Sequence, residues 1–287
     1  MIFPLFSAFF FAGVFLALVA HLETHKYQTG TYEVTLRKTL SRPLKILHLS
    51  DLHFSKPNKR LLRFFERLMK ETYEFIFITG DIFDSESGAA TCVEHFQKLK
   101  ARSGVFAVFG NHDYYNYQGA DVFIHNFPHQ GKPKHLQPVE RFEEALAKAG
   151  VRLLKNETVE IKTGETSILI HGLDDPTTGR ANIRKAMQYF EKSKINILLT
   201  HTIDAFLDIG KDEIDLSFSG HSHGGQIRLP GLPPFVTHTM LGAPYASGIK
   251  SLQGAICSIS RGLGTSRFLP FRLFCPPEAV VLTVKGK

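Results

Sequence analysis

Carboxylate, imidazole and amide side chains follow the apolar runs of this chain at five places. The apolar run over residues 105–109 leads into Gly110-Asn111-His112-Asp113. The other four runs end near Asp51 and His53, Asp81 and Asp84, His201, and His221 and His223. Apolar runs of this length predict buried strands, and ligands in open α/β sheets usually bind where such strands end. The Gly-Asn-His-Asp stretch alone also suits an ordinary turn, but the five ends together predict a metal site.

The spacing of these residues supports metal binding. Residues two apart in an extended segment point to the same side, so Asp51 with His53, and His221 with His223, can each act as a two-ligand clamp. Asp81 can bridge two cations, and the amide oxygen of Asn111 adds a neutral ligand. Mixed imidazole and carboxylate ligands without cysteine favour manganese, iron or zinc over magnesium. Two-metal sites of this kind hydrolyse phosphate esters.

These motifs, in this order, resemble the calcineurin-like metallophosphoesterase family over residues about 44 to 284. The stretches 220–230 and 260–264 are similar to a membrane-anchored bacterial branch of that family, which includes pyrophosphatases acting on UDP-2,3-diacylglucosamine. The resemblance implies an α/β fold, a four-layer sandwich of two mixed β-sheets flanked by helices. An N-terminal apolar helix would be added to that sandwich.

The resemblance also implies a role for each motif residue in a centre of two divalent ions, manganese first and iron or zinc as alternatives. One ion would be held by Asp51, His53, Asp81 and His223, and the other by Asp81, Asn111, His201 and His221. His112 would give a proton to the leaving oxygen, and Asp113 would orient its imidazole.

Two further segments are candidates for substrate binding. Arg267 and Arg272 lie in and after a glycine-rich stretch, where guanidinium groups could contact phosphate or the stretch could be a structural loop. Residues 117–138 form a long segment without a clear period, and Phe123 and Phe127 in it could hold a lipid chain. The alternative is that these phenylalanines fill the core of the domain.

The first 20 residues carry no charge, and as a helix they would be about 30 Å long, enough to cross a hydrocarbon layer. We expect a membrane anchor over residues 1–22, a juxtamembrane segment over 23–43 and one catalytic domain over 44–287. A cleaved signal peptide and a buried helix are the alternatives. Basic residues follow the apolar segment and none precedes it, which predicts an inner-membrane protein with its catalytic domain in the cytoplasm.

The formal charge of +7 would draw the chain to an anionic surface, either membrane or nucleic acid. With an apolar N-terminus present, we expect an anionic membrane surface and no nucleic acid. Residues 58–70 combine apolar spacing with basic flanks, which suits either a membrane-surface helix or a core-packing helix with a solvated basic face. The three cysteines, at spacings that suit neither disulfides nor a zinc finger, indicate a reducing compartment. The sequence leaves the oligomeric state open.

Apolar runs and helix-like segments alternate along the chain, which indicates α/β layering. Helices are predicted over 58–71, 91–102, 139–149 and 180–192. In the second half, strands are predicted over 151–154, 166–171, 195–200, 216–219, 254–259 and 279–284.

The leading functional expectation is a membrane-bound, dinuclear-metal hydrolase that cleaves UDP-2,3-diacylglucosamine to UMP and 2,3-diacylglucosamine 1-phosphate in lipid A biosynthesis. The lipid-linked sugar nucleotide would be its substrate partner. The alternative is a membrane-anchored phosphodiesterase or phosphatase that acts on phospholipids or other phosphoesters. A partner-binding scaffold without activity is disfavoured, because such scaffolds lose ligands and this chain has the full set.

Overall fold

Two mixed β-sheets of six strands each form the centre of the fold in the computed structural model. The structure describes residues 2–118, 135–211, 213–265 and 269–287, and of residues 2–9 and 12 it describes the backbone alone. The strands of the first sheet are β1 (Gln28–Thr35), β2 (Leu44–Leu49), β3 (Phe75–Thr79), β4 (Val105–Val108), β5 (Arg152–Leu153) and β12 (Glu278–Lys285). Their order is β1-β12-β2-β3-β4-β5, with β2 to β5 parallel and β12 antiparallel to β2.

The second sheet belongs to the second half of the chain. Its strands are β6 (Glu157–Thr163), β7 (Thr166–Gly172), β8 (Ile195–Leu199), β9 (Leu216–Ser219), β10 (Gly248–Leu252) and β11 (Ala255–Ile259), in the order β10-β11-β9-β8-β7-β6. The four inner strands, β7, β8, β9 and β11, run parallel to one another. The outer strands β6 and β10 are antiparallel to β7 and β11, respectively. The sequence missed β6 and β10, which are partly exposed and lack a continuous apolar run.

Three apolar clusters fill the spaces between the layers. One lies between the two sheets and contains side chains of both, such as Phe77 and Phe218, whose ring centroids are 4.9 Å apart. The second lies between the first sheet and the helices that cover it. The third covers the outer face of the second sheet. The expected α/β architecture of two mixed sheets with helices is therefore confirmed.

The helices of the catalytic part follow the sequence prediction with shifted ends. They are α2 (Lys59–Leu68), α3 (Gly88–Phe96), α4 (Asn111–Tyr114), α5 (Val139–Lys148) and α6 (Ile183–Ala186). The helix predicted over 180–192 is reduced to the single turn of α6, because only Ala186 of that turn is buried and there is no apolar face to extend.

The membrane-surface role predicted for residues 58–70 is not supported by the packing of α2. Its apolar side chains Leu61, Phe64, Phe65 and Leu68 are buried in the cluster beneath the first sheet. The exposed face carries the basic residues Lys59, Arg60, Arg63 and Arg67, together with Glu66. The core-packing alternative is therefore the correct one for this helix.

The N-terminal helix α1 runs over Ile2–Thr24 and ends against the catalytic part. Ala20 is buried, and the hydroxyl of Thr24 donates to the carbonyl of Ala20 and accepts from the backbone N–H of Arg272. Among the side chains that the structure describes, no helix offers a stretch both long and apolar enough to cross a membrane.

A buried histidine joins the two sheets. His48 in β2 is fully buried, and its ring contacts the Ser258 hydroxyl at 3.0 Å and the Thr79 hydroxyl at 2.8 Å. Burial lowers the pKa of His48 from 6.5 to about 3. The folded chain therefore holds this imidazole neutral between two hydroxyl groups.

The lowered pKa of His48 predicts an acid-dependent loss of stability. Below the pKa of His48 in the unfolded chain, the unfolded chain binds a proton that the folded chain excludes. The free energy of unfolding is therefore fully retained above that unfolded-state pKa, and it decreases as the pH falls from there towards the folded-state pKa. The free energy of unfolding of the wild type minus that of His48→Gln should decrease by roughly 2 kcal/mol when the pH is lowered from about 7 to about 5. Urea unfolding of both proteins at each pH measures this difference. A difference that does not change with pH would contradict it.

Candidate metal centre

The carboxyl ends of strands from both sheets meet at one edge of the sandwich. Within the first sheet, Leu49 pairs with Ile78, and Ile78 pairs with Ala107, so the residues after β2, β3 and β4 lie side by side. In the second sheet β8 and β9 end together, and the N–H of Gly220 donates to the carbonyl of His201. This edge brings the predicted ligand residues into one place.

Five of the seven predicted ligands have left-handed backbone conformations. They are Asp51, His53, Asp81, His221 and His223, with φ between 48° and 68°. Residues other than glycine adopt this region at a cost and keep it where the surroundings hold them. The expected two-ligand clamps therefore exist. They are formed by sharp turns and not by the extended backbone that the sequence analysis assumed.

Two groups of donor atoms form around Asp81. The first contains Asp51, His53, Asp81 and His223, and the second contains Asp81, His201 and His221, with the atoms of each group within 4.8 Å of one another. These groups coincide with the His and Asp sets implied by the family resemblance. Asp81 belongs to both, as expected of a bridging carboxylate.

Asn111 reaches the same edge as the first residue of α4. Its side chain is 1% exposed, and its amide nitrogen donates to the hydroxyl of Tyr117 at 3.0 Å. The next residue, His112, donates its backbone N–H to Asp81 at 2.9 Å. The bond to Tyr117 uses the nitrogen end of the amide, so the oxygen is the end that can serve as a ligand.

The imidazole rings are arranged with nitrogens facing each other. His53 Nε2 lies 3.3 Å from His223 Nε2, and His221 Nδ1 lies 3.0 Å from His201 Nε2. His201 Nδ1 lies 2.9 Å from the carbonyl of Thr79, which directs the Nδ1 proton there and leaves Nε2 for a metal. Each close pair of buried nitrogens is suited to a shared cation.

The electrostatics of the centre also fit divalent ions. Burial raises the pKa of Asp81, but His201 and His112 outweigh burial and hold it well below its usual range. Burial lowers the pKa of His201, but the charge of Asp81 outweighs it and raises it to about 10. A divalent cation would take the place of the His201 proton, because imidazole binds metal in its neutral form. The residues present therefore fit a dinuclear centre.

The prediction that Asp113 orients the imidazole of His112 is wrong. Asp113 is fully buried, and its carboxylate accepts the backbone N–H groups of Ile82, Phe83 and Gly110. Burial and the charge of Asp81 raise the pKa of Asp113 to about 8, while the bonds from Gly110 and Phe83 lower it. Asp113 therefore braces the turns after β3 and β4 and does not touch the imidazole.

Asp84 takes the position expected for Asp113. Its Oδ1 lies 3.4 Å from His112 Nδ1 and 3.7 Å from His53 Nδ1. Burial raises the pKa of Asp84, but the neighbouring His112 and His53 outweigh burial and lower it below its usual value. The Gly-Asp-x-x-Asp spacing was the available sequence signal for this carboxylate.

The prediction that Arg272 contacts phosphate is also wrong. Its side chain is fully buried, and its guanidinium donates to the carbonyls of Gly264, Arg261 and Cys275. It also lies 3.3 Å from His223 Nδ1, and burial together with His53 and Arg272 lowers the pKa of His223. Arg272 thus supports the loop behind the centre and favours the neutral, ligand form of His223.

Three of the predicted substrate-binding residues lie outside the described residues. Arg267 falls within 266–268, and Phe123 and Phe127 fall within 119–134. Their predicted roles remain predictions.

Residues 44–225 match the family described as calcineurin-like phosphoesterase. This match covers more than half of the chain and contains all seven predicted ligands. The chain belongs to the calcineurin-like phosphoesterase family. It is a metallophosphoesterase, a hydrolase of phosphoric esters.

Several bacterial proteins are similar to this phosphoesterase. An uncharacterized metallophosphoesterase of Aquifex aeolicus is 30% identical, over 96% of this chain and 99% of its own. The uncharacterized metallophosphoesterase YkoQ of Bacillus subtilis is 32% identical, over 66% of this chain, and the match spans 64% of YkoQ. The UDP-2,3-diacylglucosamine pyrophosphatase LpxG of Chlamydia muridarum is 27% identical, over 91% of this chain and 90% of LpxG.

The contact between Asp84 and His112 predicts a positioning role for this carboxylate. Removing its charge in Asp84→Asn should lower kcat on bis(p-nitrophenyl) phosphate by about 10 to 100-fold. His112→Ala should lower kcat by about 10² to 10⁴-fold with its metal content unchanged. Asp208→Asn, at an exposed carboxylate, is the matched control.

The double variant separates two routes for this effect. If Asp84 acts through His112, adding Asp84→Asn to His112→Ala should cost little more. Additive losses accompanied by loss of metal would instead place its effect on the ligand His53, and would refute the positioning role.

Proposed function

We propose that this phosphoesterase cleaves the pyrophosphate of UDP-2,3-diacylglucosamine, releasing UMP and 2,3-diacylglucosamine 1-phosphate in lipid A biosynthesis. The observation that carries hydrolysis is the pair of donor groups that share Asp81, with His112 beside them. The sugar nucleotide is supported by the similarity to LpxG, which extends over nine tenths of both chains.

The metal ligands and His112 have different roles in hydrolysis. The two cations, when bound, supply a hydroxide for attack on phosphorus and neutralise charge on the phosphoryl oxygens. His112 is 15% exposed, so its ring can reach a substrate while Asp84 holds its Nδ1 side. His112 then donates a proton to the oxygen of the leaving group.

We propose that manganese occupies the metal centre. The two donor groups contain four imidazoles and two carboxylates, and the Asn111 amide is buried at the same edge of the sandwich. This mixture suits manganese better than magnesium, with iron and zinc as competitors.

We place the enzyme at the inner membrane, with its catalytic part facing the cytoplasm. Helix α1 exposes large apolar side chains, among them Phe10, Phe11 and Phe15, each at least 65% exposed. Basic residues follow the helix, at Lys26, Arg37, Lys38, Arg42 and Lys45. Such a distribution supports attachment through α1 with the basic segment on the cytoplasmic side.

The direct test is release of UMP. Purified full-length protein loaded with manganese should release UMP from UDP-2,3-diacylglucosamine, and His112→Ala should be slower by about 10² to 10⁴-fold. The deacylated sugar nucleotide and a glycerophospholipid serve as comparison substrates. Faster cleavage of the phospholipid would favour the alternative, a membrane-bound phosphodiesterase or phosphatase, and would refute the proposed substrate.

A further inference from the structure

A loop beside the metal centre exposes an unusual number of large apolar side chains. It follows the ligand His223 and presents Leu229, Leu232, Phe235, Val236 and Met240, from 43% to 77% exposed. On the neighbouring segment Phe271 and Phe274 are each 39% exposed. We call these exposed side chains of residues 229–240 and 271–274 the apolar rim. Large apolar side chains exposed together on neighbouring segments indicate a site of interaction with a protein or a membrane.

The loop that carries the apolar rim is fixed at both ends. At its start, the N–H of Arg228 donates to the carbonyl of Leu273, and the N–H of Leu273 donates to Gln226. At its far end, Asp204 accepts the Thr239 hydroxyl and the N–H of Met240. The apolar side chains are therefore held outward by a tethered backbone.

The same loop packs directly against the turn that carries the second ligand clamp. Pro234 lies against Gly225, which has φ 84°, so that any side chain at that position would collide with Pro234. The ring of His238 lies 5.7 Å from the ring of the ligand His221. The apolar rim therefore borders the metal centre, within reach of the part of a substrate that extends beyond its phosphates.

Helix α1 ends against the apolar rim. The N–H of Arg272, between Phe271 and Phe274, donates to the Thr24 hydroxyl at 2.8 Å. Leu22, two residues earlier, is 61% exposed, and further exposed apolar side chains continue along α1 towards its N-terminus. The exposed apolar surface of α1 and the apolar rim thus meet at Thr24.

Two basic residues lie at this junction. Leu22 shares an open groove with Lys26 and Arg60, both exposed, and with the single carboxylate of Glu23. The whole chain carries a formal charge of +7. An apolar surface with basic neighbours is complementary to a bilayer that contains anionic lipids, because acyl chains meet the apolar side chains and headgroups meet the cations.

We propose that the apolar rim contacts the acyl region of an anionic lipid bilayer and so holds the metal centre at the membrane surface. This inference deepens the proposed function, since it rests on a lipid substrate and names the surface that receives it. A diacylated substrate could then present its phosphates to the metal centre while its acyl chains remain in the bilayer. The loop at residues 229–240, on this account, determines the preference for lipid over water-soluble esters.

The absence of tryptophan from the sequence allows a direct test. Full-length Phe235→Trp and Met240→Trp are reconstituted with vesicles of phosphatidylglycerol and phosphatidylcholine whose acyl chains carry bromine, which quenches nearby tryptophan. Tyr189→Trp is the matched control, because Tyr189 is 62% exposed and lies on the segment that leads into the amino end of β8. Both rim variants should show blue-shifted emission and several-fold stronger quenching than the control.

Three results would overturn the proposal. The first is emission from both rim variants that stays unquenched while the protein sediments with the vesicles. The second is equal quenching at Tyr189→Trp. The third is blue-shifted emission without quenching that appears only at high protein concentration, which would assign the surface to a second copy of the chain. The measurement needs no turnover, so it is independent of the UMP assay that tests the substrate.

Discussion

The buried carboxylate of Asp81 is the group on which the rest of the structure depends. It is 2% exposed and belongs to both donor groups, and it also accepts the backbone N–H of His112. A buried charge is costly unless cations and hydrogen bonds compensate it. The turns after β2, β3, β8 and β9 therefore have to deliver compensating groups to one point. The left-handed residues after β2, β3 and β9 are the backbone cost of doing so.

The ligand set could be predicted from the sequence because residue type and position after apolar runs were sufficient. The partners of those ligands could not. Asp84 and Asp113 are both acidic residues close to a ligand, and only the backbone path of the turns decides which one faces His112. Arg272 in a glycine-rich region reads as a phosphate ligand, yet the loop folds around it and its guanidinium donates to carbonyls.

The fold shows the same division between periodic and irregular segments. Strongly apolar runs such as those of β3 and β8 were predicted correctly, whereas β6 and β10 were missed because they lie at sheet edges with half-exposed side chains. Residues 58–70 had a pattern that fits both a membrane and a core. Only the packing of Phe64 and Phe65 beneath the first sheet distinguishes the two. The apolar rim had no periodic pattern at all, and it emerged from the exposure of individual side chains.

The central claim is that one carboxylate joins two metal sites, and the metal content of the protein tests it most directly. After removal of metal and loading with manganese, wild type should hold two ions per chain, His221→Ala and His223→Ala one each, and Asp81→Ala none, as the shared donor groups imply. Elemental analysis of the four proteins gives these values. A wild type that binds a single ion, or an Asp81→Ala variant that retains two, would contradict the account.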